Sequence, residues 1–201
     1  MALFRFATEP SARPLIRTET LTLRPPQADD YAAWAALRIE SREFLTPWEP
    51  TWAEEDLTRN SFRQRVKRAA REIAADEAYS LFLFETRTAA LVGGLTMGLV
   101  RRGVAQTCTL GYWMGQRHAG KGHMTEAVRG AVRFAFTELA LHRVEAACLP
   151  HNEPSRRLLE RVGFRLEGRA RGYLRINGAW AEHLLYGILA SDPLPERRDA
   201  G

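Results

Sequence analysis

The stretch "TLGYWMGQRHAGKGHMTEAVRGAVRFAF", Thr109 to Phe136, sets the architecture of this chain. It opens as an alternating, aromatic-rich strand. Gly115, Gly120 and Gly122 then share a loop with Arg117, His118 and Lys121. From there Met124, Ala127, Val128, Ala131, Val132, Ala135 and Leu139 recur on one helical face. "RVEAACL", Arg143 to Leu149, is strand-like again. A strand, a long helix and a strand in succession predict a right-handed crossover that makes the two strands parallel neighbours.

Upstream, "LIRTETLTLRPP" reads as one half-buried strand stopped by Pro25 and Pro26. Asp29 or Asp30 can cap a helix with Tyr31, Trp34, Ala35 and Leu37 on its inner face. "FLTPWEPTW" interrupts regular structure at Pro47 and Pro50. A second helix is expected from about Glu54 to Ala75, carrying Leu57, Phe62, Val66 and Ile73. "YSLFLFE", "LVGGLTMGLVRR" and "VAQTCTLGYWMG" form an antiparallel meander. Downstream, Asn152 can cap a short helix with Pro154 in its first turn and Gly163 at its end. Two last strands flank "INGAW", whose Asn177-Gly178 pair predicts a tight hairpin. The expected fold is α/β (α+β): a mixed, mostly antiparallel sheet of about seven strands, flanked by helices, with a central parallel pair. One domain is expected over residues 15–190, between tails 1–14 and 191–201.

With 201 residues the chain can bury one ordinary core but not two. Its 45% hydrophobic and 26% charged residues exclude a largely disordered chain. Apolar runs such as Ser80 to Phe84 are strand-sized, below the roughly 18 residues of a membrane span, and no secretory h-region is present, so a cytoplasmic protein is expected. Cys108 and Cys148 lie outside any C-x-x-C pair among strand-like residues, the pattern of buried free thiols. His118, His123, His142, His151 and His183 show no metal-ligand spacing, and no metal is expected. The net charge of +5 favours acidic partners. Its densest part, "RNSFRQRVKRAAREIAADE" from Arg59, mixes in acids at helical period, which reads as a solvated helix face rather than a nucleic-acid contact.

Gly120 and Gly122 let the backbone bend tightly just before a helix whose first amides have no internal partner. With Arg117 and Lys121 beside it, such a start suits a diphosphate. The Walker pattern fails, because Lys121 precedes Gly122 and no Ser or Thr follows in place. A dinucleotide fingerprint fails too, since a meander comes first.

Arg117-x-x-Gly120-x-Gly122, preceded by "TLGYWMG", resembles the Q/R-x-x-G-x-G/A cofactor motif of the GNAT superfamily of N-acetyltransferases. "LHRVEAACLPHNEPSRRLLERVGF" resembles that superfamily's next strand and helix. "LTLRPPQADDYAAWAALRIESREFLTPWEP" and "YLRINGAWAEHLLYGIL" look like the branch that acetylates the N-terminal alanine of ribosomal proteins. The resemblance runs from about Leu15 to Leu189.

It implies acetyl-CoA in a gap between the parallel strands, with the pantetheine along Trp113 and Met114. The diphosphate would lie on the segment of Arg117, Ala119, Gly120, Lys121, Gly122 and Met124, with Thr125 near, and Asn152 and Ser155 would complete the cofactor site. It also implies direct attack of an amine on the thioester, with a backbone amide near Met114 facing the oxyanion. The partner is then a protein N-terminus, possibly ribosomal, with no membrane or sequence-specific nucleic-acid contact and a monomer or homodimer as the working form. Many relatives place a Tyr acid seven residues after the Asn, where this chain has Leu159; the branch has Ser at the position of Ser155, the implied donor to the thiolate. Ser155 satisfying local backbone, and Asn152 acting only as a cap, are the plainer alternatives. An α-amine, with a pKa of about 7.7 to 8.0, needs only a weak base. Glu182, Glu145 and Glu126 are the candidates; Glu182 is preferred, and Glu126 suits the helix start. Trp48 and Glu49 would line a peptide groove unless they merely pack the loop. The rivals are a small-amine acetyltransferase for an antibiotic, polyamine or amino acid, a non-catalytic ribosome- or RNA-binding module, and an acetylated Cys148 intermediate.

Overall fold

The structure, a computed structural model, describes residues 15–194. The expected tail 1–14 and most of the tail 191–201 lie outside the described residues. The stretch read as one first strand is a hairpin of β1 (Ile16–Arg17) and β2 (Leu21–Arg24). Its turn closes without glycine or proline because the Thr18 hydroxyl accepts from the Leu21 amide at 3.1 Å. α1 (Tyr31–Glu40) and the short α2 (Arg42–Leu45) follow. The helix expected from Glu54 is broken into a 3₁₀ turn (Glu54–Leu57) and α3 (Arg59–Ala74). Thr58 breaks it: its backbone is extended, with ψ 154°, and its hydroxyl accepts from the Ser61 amide, so a new helix starts there.

β3 (Tyr79–Glu85), β4 (Leu91–Arg101) and β5 (Thr107–Met114) form the expected meander. α4 (His123–Thr137), β6 (Arg143–Cys148), α5 (Glu153–Val162), β7 (Arg165–Ile176) and β8 (Ala179–Leu189) complete the chain. The eight strands lie in the order β1-β2-β3-β4-β5-β6-β8-β7. β5 and β6 are parallel and every other adjacent pair is antiparallel, the mixed sheet the sequence predicts with one strand more. Asn177 and Gly178 turn the last hairpin with φ of 43° and 82°.

Each face of the sheet is covered. Ala127, Val128, Ala131, Val132 and Ala135 of α4 bury their small side chains with Leu81, Leu95 and Val144, and Leu159 and Val162 of α5 join them. Glycine and alanine let α4 lie close: a Cβ on Gly130 would stand 2.9 Å from Thr18 Cγ2. The Glu126 carboxylate accepts from the amide and the hydroxyl of Thr20, both at 2.7 Å, and ties the start of α4 to the first hairpin. On the opposite face Trp34 and Leu37 of α1 and Phe62 of α3 pack on Phe82 and Leu91. Full burial of each such side chain contributes about 1.5–3 kcal/mol.

Candidate active site

β5 and β6 pair only from Thr107–Leu110 against Arg143–Ala146, and then diverge. Beyond that point residues 111–114 pair with β4 alone, and Ala147 and Cys148 with β8 alone. Gly93 and Gly94 let β4 follow β5 to its end, because the Trp113 carbonyl and indole occupy the space their Cβ atoms would need. The result is a wedge between two parallel strands with unpaired backbone on both edges.

The loop beyond β5 closes one end of that wedge. The Gln116 amide donates to the Ser41 hydroxyl at 2.9 Å, and the Ala119 amide to the Gln116 carbonyl at 3.1 Å. Gly120 and Gly122 then take φ of 75° and 83°, which only glycine adopts without cost. The first helical amide bond of α4 is Glu126 to Gly122, so among the described residues no backbone acceptor takes the amides of residues 120–125. The surroundings are cationic. His118 is pushed below its ordinary value, first by burial and then by Arg117, Lys121 and His123, with Glu40 opposing. Arg117 pairs with Glu40 at 2.9 Å and donates to His118 at 3.0 Å. Arg117, Ala119, Gly120, Lys121, Gly122, Met124 and Thr125 thus lie on one loop and helix start that follows Trp113 and Met114 in the chain, although the Ala119 amide is already spent.

At the start of α5, Asn152 caps the helix by accepting from the Ser155 amide at 3.2 Å. The Ser155 hydroxyl does not turn to local backbone. It lies 2.7 Å from the Tyr112 hydroxyl on β5. Burial raises the Tyr112 pKa far above the tyrosine range, so it stays a protonated hydrogen-bond partner. Sequence reasoning missed Tyr112; its alternation with Leu110 and Cys108, both buried against α4, was the available signal. Leu159, the position at which the family resemblance implied a Tyr acid, is fully buried in the core. Cys148, beside Ser155, has its thiol raised by burial, and Cys108 is pushed up to about 12 by the same cause.

The carboxylates scatter. Glu182 receives Arg169 at 3.0 Å, and Glu145 receives Arg101 at 3.1 Å and Arg143 at 3.0 Å. Glu126 is committed to Thr20. Glu49 instead lines a cavity of about 200 Å³ with Trp34, Arg38, Arg65, Thr96 and Trp113. The loop holding it spans to other elements: Trp48 stacks near His151, with ring centroids 5.5 Å apart, and the Asn177 amide donates to the Glu49 carbonyl at 2.9 Å. Among the described residues no helix is long and apolar enough to cross a membrane, and no three His, Cys, Asp or Glu side chains gather as a metal site would need.

Residues 20–165 match the family described as "Acetyltransferase (GNAT) domain". The probable N-acetyltransferase YjcK of Bacillus subtilis is 36% identical over 178 residues, covering 89% of this chain and 98% of that protein. The [ribosomal protein uS5]-alanine N-acetyltransferase of Escherichia coli is 34% identical over 186 residues, covering 92% of this chain and 96% of its own. Mycobacterium smegmatis RimJ, solved in complex with CoA-disulfide, superposes with a TM-score of 0.82 at 33% identity, covering 89% of this chain and 87% of that one.

Proposed function

The chain belongs to the GNAT acetyltransferase family, and from that premise we propose that it moves acetyl from acetyl-CoA to the N-terminal α-amine of a protein, of the ribosomal-protein alanine type. One observation carries the reading: β5 and β6 part after Leu110 and Ala146, the amides of residues 120–125 beyond β5 lack backbone acceptors, and the Tyr112 and Ser155 hydroxyls pair between β5 and α5. An extended, amide-bearing arm adds to the free edge of β5 as a strand would. A diphosphate suits the start of α4, where amides and cations converge. The relative that acetylates an alanine of ribosomal protein uS5 matches nearly the full chain and supports the acceptor class.

The thioester supplies an activated carbonyl, and the protein supplies position and hydrogen bonds. A neutral amine attacks the carbonyl carbon, the new C–N bond forms, and the electron pair moves to oxygen, faced by a backbone amide near Met114. Collapse breaks the C–S bond, and the thiolate, of parent pKa about 8.5, accepts a hydrogen bond from Ser155. The amine's proton passes to water. An α-amine of pKa about 7.7–8.0 is partly neutral at cellular pH, whereas a lysine at about 10.4 is not.

The test is acetyl transfer to short peptides with free or blocked N-termini, some containing lysine, read as a mass gain. Modification confined to free N-termini, strongest with a small first residue, is expected. Transfer only to small amines, with every peptide left unmodified, would sink the protein-acceptor reading.

A further inference from the structure

The sheet face opposite α4 carries the 200 Å³ cavity, and Ser80, Phe82, Gly94, Thr96 and Trp113 of β3, β4 and β5 line it. Gly94 pairs with Trp113, and both line the cavity. Trp113 belongs to the segment of β5 that has left β6, so cavity and wedge meet at this residue. α1 contributes Trp34 and Arg38 to the walls, the proline-bounded loop Glu49, and α3 Arg65 at the rim.

Within this cavity the Glu49 carboxylate is held from several sides. Arg38 donates to Oε1 at 2.8 Å and to Oε2 at 2.6 Å, and the Trp52 indole donates to Oε2 at 2.8 Å. The Arg38 guanidinium itself lies 4.0 Å from the Trp52 ring and 4.8 Å from the Trp113 ring. Both partners are largely buried, at 12% and 19% side-chain exposure. Such pairs are weak evidence for stability, because desolvation offsets their attraction. A carboxylate has about four acceptor positions. Oε2 has two donors, whereas Oε1 accepts from Arg38 alone among the described residues.

We propose that Glu49 Oε1 receives the amine of the acceptor and presents it to the wedge. The proposal rests on the reading above for the acyl donor's place, and it assigns the cavity to a primary amine at a chain end with a small first side chain. Trp34, Phe82 and Trp113 give the cavity, of about 200 Å³, an aromatic wall. With Arg38 on both oxygens, Glu49 holds an N–H rather than removing a proton. Arg38 offsets the charge of Glu49, and Arg65 leaves the lining with a net positive charge that disfavours the ammonium form.

The experiment compares wild type with Glu49→Gln, using a free-N-terminus peptide and its des-amino analogue, with hydrogen in place of the α-amine. The variant should raise the peptide KM about tenfold or more, while the calorimetric affinity for CoA and the KM for acetyl-CoA stay unchanged. With CoA present, wild type should bind the amino peptide about tenfold tighter than the des-amino analogue, and the variant should show a much smaller difference. A variant that keeps the wild-type KM, or a wild type indifferent to the amine, overturns the proposal; the second result does not depend on how the variant folds. If wild type acetylates only small amines, the protein-acceptor reading fails, and Glu49 is then judged on the KM for that amine. A wild type inactive on both sets overturns both.

Discussion

The Tyr112 hydroxyl lies 2.7 Å from the Ser155 hydroxyl, joining β5 to the first turn of α5 across the end of the wedge. Ser155 is thereby held twice, through its amide by Asn152 and through Oγ by Tyr112. If it steadies the leaving thiolate, Ser155→Ala should lower kcat about 10- to 100-fold with the KM for acetyl-CoA nearly unchanged. Tyr112→Phe should cost less, and the double variant no more than Ser155→Ala alone, because the tyrosine acts through the serine. Steady-state kinetics of the four proteins settle it; additive losses would separate the two residues. Since burial raises the Tyr112 pKa, the rate should rise as the acceptor amine deprotonates and show no fall from tyrosine ionisation up to about pH 10.

Gly122 shows what the cradle asks of the backbone. Its φ is 83°, yet a Cβ there would meet nothing within 4 Å, so the cost of Gly122→Ala is conformational and not steric. Unfolding free energy should fall by about 1–2 kcal/mol, a few degrees in thermal midpoint. If the amides of residues 120–125 hold a diphosphate, calorimetry should show CoA affinity weakened about tenfold or more, since those donors re-aim together. Unchanged affinity would place the diphosphate elsewhere.

The parts of this fold that were legible are those in which one local pattern dominates. The α4 stripe, the Asn177-Gly178 turn and the glycine loop after β5 each carry their own signal. The β1–β2 turn does not, because Thr18 closes it with a hydroxyl where a glycine or proline would have announced it. Thr58 caps α3, but Leu57 and Phe62 on either side of the break pack on the same cluster and read as one helix. Local spacing carries the Asn152 cap, which accepts from the Ser155 amide as expected. Tyr112 and Ser155 are 43 residues apart, and Arg38 and Glu49 meet only because the proline loop folds back on α1. Periodicity carries no information on such meetings.

Cys148 sits beside Ser155, where a covalent acyl carrier could be imagined, but burial raises its thiol and keeps it protonated near neutrality. Cys148→Ala should therefore retain nearly full activity, and initial-rate patterns should be sequential, without the parallel lines of a ping-pong scheme. Iodoacetamide should label the folded protein slowly at pH 8, with Cys108, raised to about 12, slowest of all. Rapid labelling of Cys148 with matching loss of activity would reopen the covalent route.

His118 offers a spectroscopic probe of the cradle. Burial and the cations Arg117, Lys121 and His123 depress its pKa, and its Nε2 already accepts from Arg117, as a neutral ring does. In the unliganded protein its NMR titration should have a midpoint below the ordinary value of about 6.5. Between that midpoint and the ordinary value the unfolded chain binds more protons, so this residue's share of stability is lost as pH falls through the window. A bound diphosphate adds negative charge beside the ring and should raise the midpoint. By linkage, CoA must then bind more tightly as pH falls between the free and bound midpoints, and His118→Gln should remove that part of the dependence. A midpoint that stays fixed at saturating CoA would mean that the diphosphate lies away from the Gly120–Gly122 turn.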